Sequence, residues 1–141
     1  MNAEKMWEMF GGRRSEFSSF AFGDDTDGLA RLVYEGKKTA TSSAAPLYEL
    51  EGVPLPKRGE CSVVLDSAGD AVCIIETTRV YVVPFSEVGA EHARMEGEGD
   101  LSLEYWRRVH REFFSECMAE AGLEFDEGMP VVCEEFEVVY R

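Results

Sequence analysis

Apolar positions switch between helical and strand spacing several times along the chain, and those switches predict its elements. Ala3 to Phe10 sets Met6, Met9 and Phe10 on one face of a short helix, which the Gly11-Gly12-Arg13-Arg14 run interrupts. From Asp24, acidic residues and Thr26 precede Leu29, Leu32 and Val33, and Gly36 supplies a stop, predicting a helix from about Asp27 to Glu35. Thr39 to Ser43 reads as a short extended piece, and Pro46 to Pro56 as a connection with one helical turn. The apolar runs Cys61 to Asp66 and Ala71 to Val83 flank Ser67-Ala68-Gly69-Asp70, a β-hairpin signature. Pro84 ends the second run, and Phe85 to Glu96 is expected to hold one or two helical turns. Leu103, Trp106, His110, Phe113, Phe114 and Cys117 predict a longer helix from about Ser102 to Ala121, and Pro130 to Tyr140 returns to a strand pattern.

This order lacks the regular alternation of a doubly wound parallel sheet. It predicts an α+β fold: a small, mostly antiparallel β-barrel with flanking helices. Residues 1–23 are expected to form an amino-terminal helical arm, a lid or a packing piece, on a domain spanning 24–141.

Composition changes the picture through charge. The 141 residues are 45% hydrophobic and 30% charged, within the globular range. Asp and Glu number 28 against 14 Lys and Arg, a net charge of −14 that disfavours a general nucleic-acid binder. Residues 1–70 carry 8 basic and 12 acidic side chains, whereas 71–141 carry 6 and 16, so the basic character lies early. Cys61, Cys73, Cys117 and Cys133 form no CxxC pair, and neither a signal peptide nor a membrane-spanning run is visible. The chain reads as reduced and cytoplasmic, with no membrane partner and no structural zinc.

Phosphate-loop, dinucleotide, zinc-protease and nucleophile-elbow motifs are absent. What stands out is Gly36-Lys37-Lys38-Thr39, followed by Thr41, Ser42 and Ser43, because an amine beside hydroxyls can activate a weak nucleophile. The plain alternative is a basic helix end that complements the helix dipole, followed by ordinary strand hydroxyls. Residues 38 and 41 face opposite sides of a regular strand, so pairing them requires a bend or bulge. Glu76 lies within an apolar strand, where a carboxylate is costly unless paired. It either meets Lys38 inside a barrel or faces solvent beside Arg79. His92, Glu96, Glu98 and Asp100 suggest a helix-capping loop more than a metal site. His110, Tyr105 and Trp106 suit core packing, although the aromatic pair could stack on a base.

These residues resemble the ASCH domain family, related to the PUA fold of RNA-binding domains. The resemblance rests on Ala21-Phe22-Gly23-Asp24, the GxKxxT pattern Gly36 to Thr41, Cys73-Ile-Ile-Glu-Thr-Thr78, and Val83-Pro84-Phe85. It continues through His92-Ala93 with Glu96-Gly-Glu-Gly-Asp100, Ser102-Leu-Glu-Tyr-Trp106 with His110 and Phe113-Phe114, and Pro130-Val-Val-Cys-Glu-Glu-Phe136. It implies a PUA-like β-barrel whose cleft takes a nucleoside, a modified base or short single-stranded RNA, without a cofactor or metal. By the same resemblance, an amidohydrolase of N4-acylated cytidine would use Thr41 as nucleophile, Lys38 to activate it and Glu76 to relay a proton. Lys37, Ser43, Tyr48, His92 and Trp106 are then expected to contact the ligand. A non-catalytic RNA-binding module and a metal-independent ribonuclease are the alternatives.

Overall fold

The computed structural model describes residues 1–11 and 16–141; the Gly12-Arg13-Arg14 part of the expected break lies outside the described residues. The elements in chain order are α1 (Ala3–Phe10), β1 (Ser18–Ala21), α2 (Thr26–Tyr34), β2 (Ala40–Ala44), α3 (Ala45–Glu51), β3 (Cys61–Leu65) and β4 (Ala71–Pro84). A 3-10 turn (Phe85–Glu87), α4 (Ala90–Glu96), α5 (Leu103–Glu120) and β5 (Pro130–Tyr140) complete the chain.

Among the described residues five strands form one sheet in the order β1-β3-β4-β5-β2. The β3–β4 hairpin closes through the Asp66 carboxylate, which accepts from the Ala68 and Asp70 amides, while Gly69 takes the left-handed conformation. β4 pairs antiparallel with β5, and β5 with β2. Among the described strands only β1 runs parallel to its neighbour, β3. Ladder irregularities at Ile74/Ile75 and Thr77/Arg79 accompany the curl of the long β4–β5 pair. The sheet curls into a half-barrel, so its two edge strands, β1 and β2, line one common cavity.

Strand alternation sorts the side chains. Cys61, Val63 and Ile74 meet Ala3, Met6 and Trp7 of α1 on one face. Val64, Cys73 and Ile75 meet Ala30 and Val33 of α2 on the other. A third cluster joins α4 and α5 to the far end of the sheet through Phe85, Ala93, Trp106, Phe114, Met118, Val131 and Cys133. Within the expected 1–23 arm, Ala3–Phe10 is a helix and Ser18–Ala21 is an edge strand of the main sheet. α1 packs on the β3–β4 pair away from the cavity, whereas Ser18, Phe20, Ala21, Phe22 and Gly23 of the same arm line the cavity.

Candidate functional site

Lys38 is positioned by the end of α2. Gly36, with φ +77°, turns the chain left-handed; its amide binds Val33 O and the Lys37 amide binds Leu32 O, a Schellman stop. The Lys38 amide also binds Leu32 O, so Lys38 lies before β2 begins at Ala40. The alternation expected to separate Lys38 from Thr41 therefore never applies, and both line the same cavity without a bulge between them.

The cavity measures about 780 Å³, within the range of small-molecule sites. Phe20, Phe22, Leu29, Leu32, Tyr105 and Phe113 form apolar walls, and Thr41, Ser43, Tyr48, Thr77 and Glu134 form a hydroxyl- and carboxyl-bearing floor. Among the described residues lining it, Lys38 is the only lysine or arginine, whereas six are acidic: Asp24, Asp25, Glu60, Glu96, Glu98 and Glu134.

Lys38 is 1% exposed, and its ammonium donates to Ala40 O, Glu96 Oε1 and Glu98 Oε2, each at 2.9 Å. The Phe22 ring lies 5.5 Å below it. Burial alone would lower the lysine pKa, but the Glu96 and Glu98 carboxylates outweigh it and raise the pKa above its ordinary value. Lys38 is a held cation at neutral pH, and the sequence-level expectation that it activates a nucleophile as a base loses its proton-accepting form.

Glu96 is the hub. Its Oε2 accepts from Ser42 Oγ and from Trp106 Nε1 at 2.6 Å, and pairs with His92 Nε2 at 3.2 Å and His110 Nε2 at 3.6 Å. Burial favours its neutral form, yet Lys38, His92 and His110 hold its carboxyl well below the usual carboxylate range. His92, 2% exposed, also lies 2.7 Å from Ser42 Oγ. Burial would depress its pKa, but the Cys133 sulfur and the Glu96 carboxylate raise it to about 9.

Glu76 is not where it was expected. It shares the α1 face of β4 with Ile74 and lies 3.8 Å from Cys61 Sγ, while its neighbour Thr77 faces the cavity. Glu76 does not line the cavity that holds Lys38, and the carboxylates paired with Lys38 are those of Glu96 and Glu98. Ser43 and Tyr48 do line the cavity and are bonded to each other at 2.7 Å. His92 and Trp106 sit behind its wall and reach it only through Ser42 and Glu96. Lys37 points to solvent beside Glu35.

Three groups have a place at the site that the sequence reading did not give them. Glu96 had one signal, its spacing of four from His92 on a helix. Glu98 lay in what read as a capping loop. Glu134 is the direct ladder partner of Thr41, so both side chains share the cavity face, and it accepts from Thr77 Oγ1 at 2.6 Å. Burial raises the Glu134 pKa against the opposing Thr77 hydrogen bond, with Glu60 adding to the rise. Among the described residues no group of three or more His, Cys, Asp or Glu side chains is arranged to hold a metal ion.

The sequence pattern of the ASCH domain matches residues 18–140, from β1 to the end of β5. The chain belongs to the ASCH domain family. It is similar to the crystal structure of an ASCH domain from Lactobacillus crispatus, with 34% identity over 98% of this chain and 94% of that one and a TM-score of 0.92. It is also similar to protein EF3133 of Enterococcus faecalis, with 35% identity over 99% and 88% of the two chains and a TM-score of 0.88. An ASCH protein from Zymomonas mobilis, 11% identical over 86% and 68% of the chains, shares the fold at a TM-score of 0.55. Comparison with curated proteins returned no match. The half-barrel of this ASCH domain thus agrees with the expected PUA-like architecture. Among the described residues, no helix is long and apolar enough to cross a membrane.

Proposed function

We propose that this ASCH domain binds a nucleoside, or one nucleotide of a short single-stranded RNA, in the Lys38–Thr41 cavity and hydrolyses an amide on its base, as in N4-acylated cytidine. The observation that carries this reading is the shared cavity itself. It sets a buried ammonium and an unengaged hydroxyl against aromatic walls in a space of nucleoside size. Ser42 and Ser43 have their hydroxyls bonded to neighbouring side chains, whereas Thr41 has no side-chain hydrogen bond among the described residues.

In this mechanism Thr41 Oγ1 attacks the amide carbonyl carbon, and its proton passes to Glu134, whose raised pKa suits a proton carrier. The positive charge of Lys38 stabilises the oxygen that becomes negative. Glu134 returns the proton to the departing exocyclic amine, and water then hydrolyses the Thr41 ester. Glu96 keeps Lys38 charged and in place.

The test is incubation with N4-acetylcytidine, following cytidine release by chromatography. Wild type releases cytidine, and Thr41→Ala loses about 10³-fold or more of that rate. Undiminished release by Thr41→Ala removes the nucleophile assignment. Binding without turnover in the wild type leaves a nucleoside- or RNA-binding module.

A further inference from the structure

A lysine ammonium has three N–H donors, and in Lys38 all three are spent at 2.9 Å. The acceptors, to which the Glu96 carbonyl oxygen adds a longer contact at 3.4 Å, are not equivalent. Ala40 O belongs to the strand backbone, and Glu96 is fully enclosed by Ser42, Trp106 and Lys38. Glu98 alone is partly open, with 21% of its side chain exposed on the cavity wall. Its backbone is pinned on both sides. Gly97 and Gly99 have φ +72° and +58°, and a Cβ would strike the Lys37 carbonyl oxygen at the first and the Tyr105 ring at the second. A ligand that takes the Lys38 donor therefore has to displace the Glu98 side chain rather than its backbone, and the carboxylate stays beside the cavity.

We propose that Glu98 is a specificity-determining residue. It occupies the one Lys38 donor that opens onto the cavity, so that the site admits acceptors that arrive uncharged, such as a carbonyl oxygen, and rejects phosphate and other ligands that are anionic when they enter. The idea deepens the nucleoside reading and rests on it for the identity of the ligand, though not for the exclusion of anions. A neutral carbonyl that takes the donor leaves Glu98 free to turn toward water. An anion that takes it must lie beside the displaced carboxylate, with Glu134, Glu60, Asp24 and Asp25 on the same cavity and no second lysine or arginine among the described lining residues. Without Glu98, the buried Lys38–Glu96 pair persists and the freed donor keeps only the long 3.4 Å contact with Glu96 O, leaving it open to an acceptor in the cavity.

The experiment titrates inorganic phosphate, and separately cytidine and cytidine 5′-monophosphate, into wild type, Glu98→Gln and Glu98→Ala by calorimetry. Circular dichroism checks that each variant is folded. For the wild type, phosphate binding stays undetected and cytidine binds at least tenfold more tightly than its monophosphate. Both variants bind phosphate at least tenfold more tightly than the wild type and lose the preference for cytidine. Phosphate affinity equal in all three proteins, or monophosphate binding wild type as tightly as cytidine, overturns the proposal. Cytidine binding to none of them sinks the nucleoside reading while the phosphate series still decides the role of Glu98.

Discussion

A carboxylate that is 2% exposed survives only because every oxygen of Glu96 is answered: Lys38 on one side, Ser42, Trp106 and His92 on the other. Removing the charge leaves Lys38 with only the half-open Glu98 as counter-ion. Glu96→Gln should cost about 3–5 kcal/mol of folding stability, read as a lower urea midpoint with an unchanged slope; a midpoint equal to wild type would refute the hub. The same cluster sets a pH window. The low folded pKa of Glu96 gives stability that is present above about 4.5 and is lost as pH falls through the folded value. His92, raised to about 9 from 6.5, gives stability that is complete below pH 6.5 and fades as pH rises through 9. Urea midpoints should fall between these two pH values in wild type and stay flat in His92→Gln. An equal alkaline decline in both proteins would assign the loss to another group.

Elements with a strong period were legible and elements defined by a partner were not. α1, α5, the hairpin and β5 agree with the sequence reading to within a residue or two, because each buries one periodic face. β1 has four residues with the exposure of an edge, and nothing local foretells its parallel pairing with β3. The face of β4 was equally illegible. Only the docking of α1 on Ile74 shows that the face shared by Ile74 and Glu76 points away from the cavity, whereas Val72, beyond a ladder irregularity, packs with the α2 cluster. For the same reason Lys38 and Thr41 were recognisable as residue types, while their carboxylate neighbours, Glu96 and Glu98 from α4 and its following loop for Lys38 and Glu134 from β5 for Thr41, were not. α1 carries a prediction of its own. Trp7 is 7% exposed and stacks on Phe17 with ring centroids 4.9 Å apart, beside Met6, Val63 and Ile74. Trp7→Ala should cost about 3–5 kcal/mol in urea unfolding while leaving cavity ligand affinity unchanged, since α1 and the cavity lie on opposite faces of the β3–β4 pair. A parallel loss of affinity in the folded variant would contradict that separation.

For the whole molecule, a net charge of −14 and a cavity with one lysine among six acidic residues have the same consequence: long-range attraction for a polyanion is missing at the site and over the protein as a whole. Recognition then depends on aromatic walls, hydroxyls and shape, none of which releases counter-ions. Affinity for a nucleoside should change by less than about twofold between roughly 50 and 500 mM salt. A single-stranded oligonucleotide offers the same test with phosphates attached. Each phosphate neutralised by a cation adds about −0.7 to the slope of log affinity against log salt, so an RNA held mainly by one base in this cavity should give a slope shallower than about −1.5. Fluorescence anisotropy of a labelled pyrimidine oligomer across a salt series measures it. A slope steeper than about −3 would require four or more phosphate contacts, more cations than the described cavity lining presents, and would move the RNA-binding surface off the Lys38 cavity altogether.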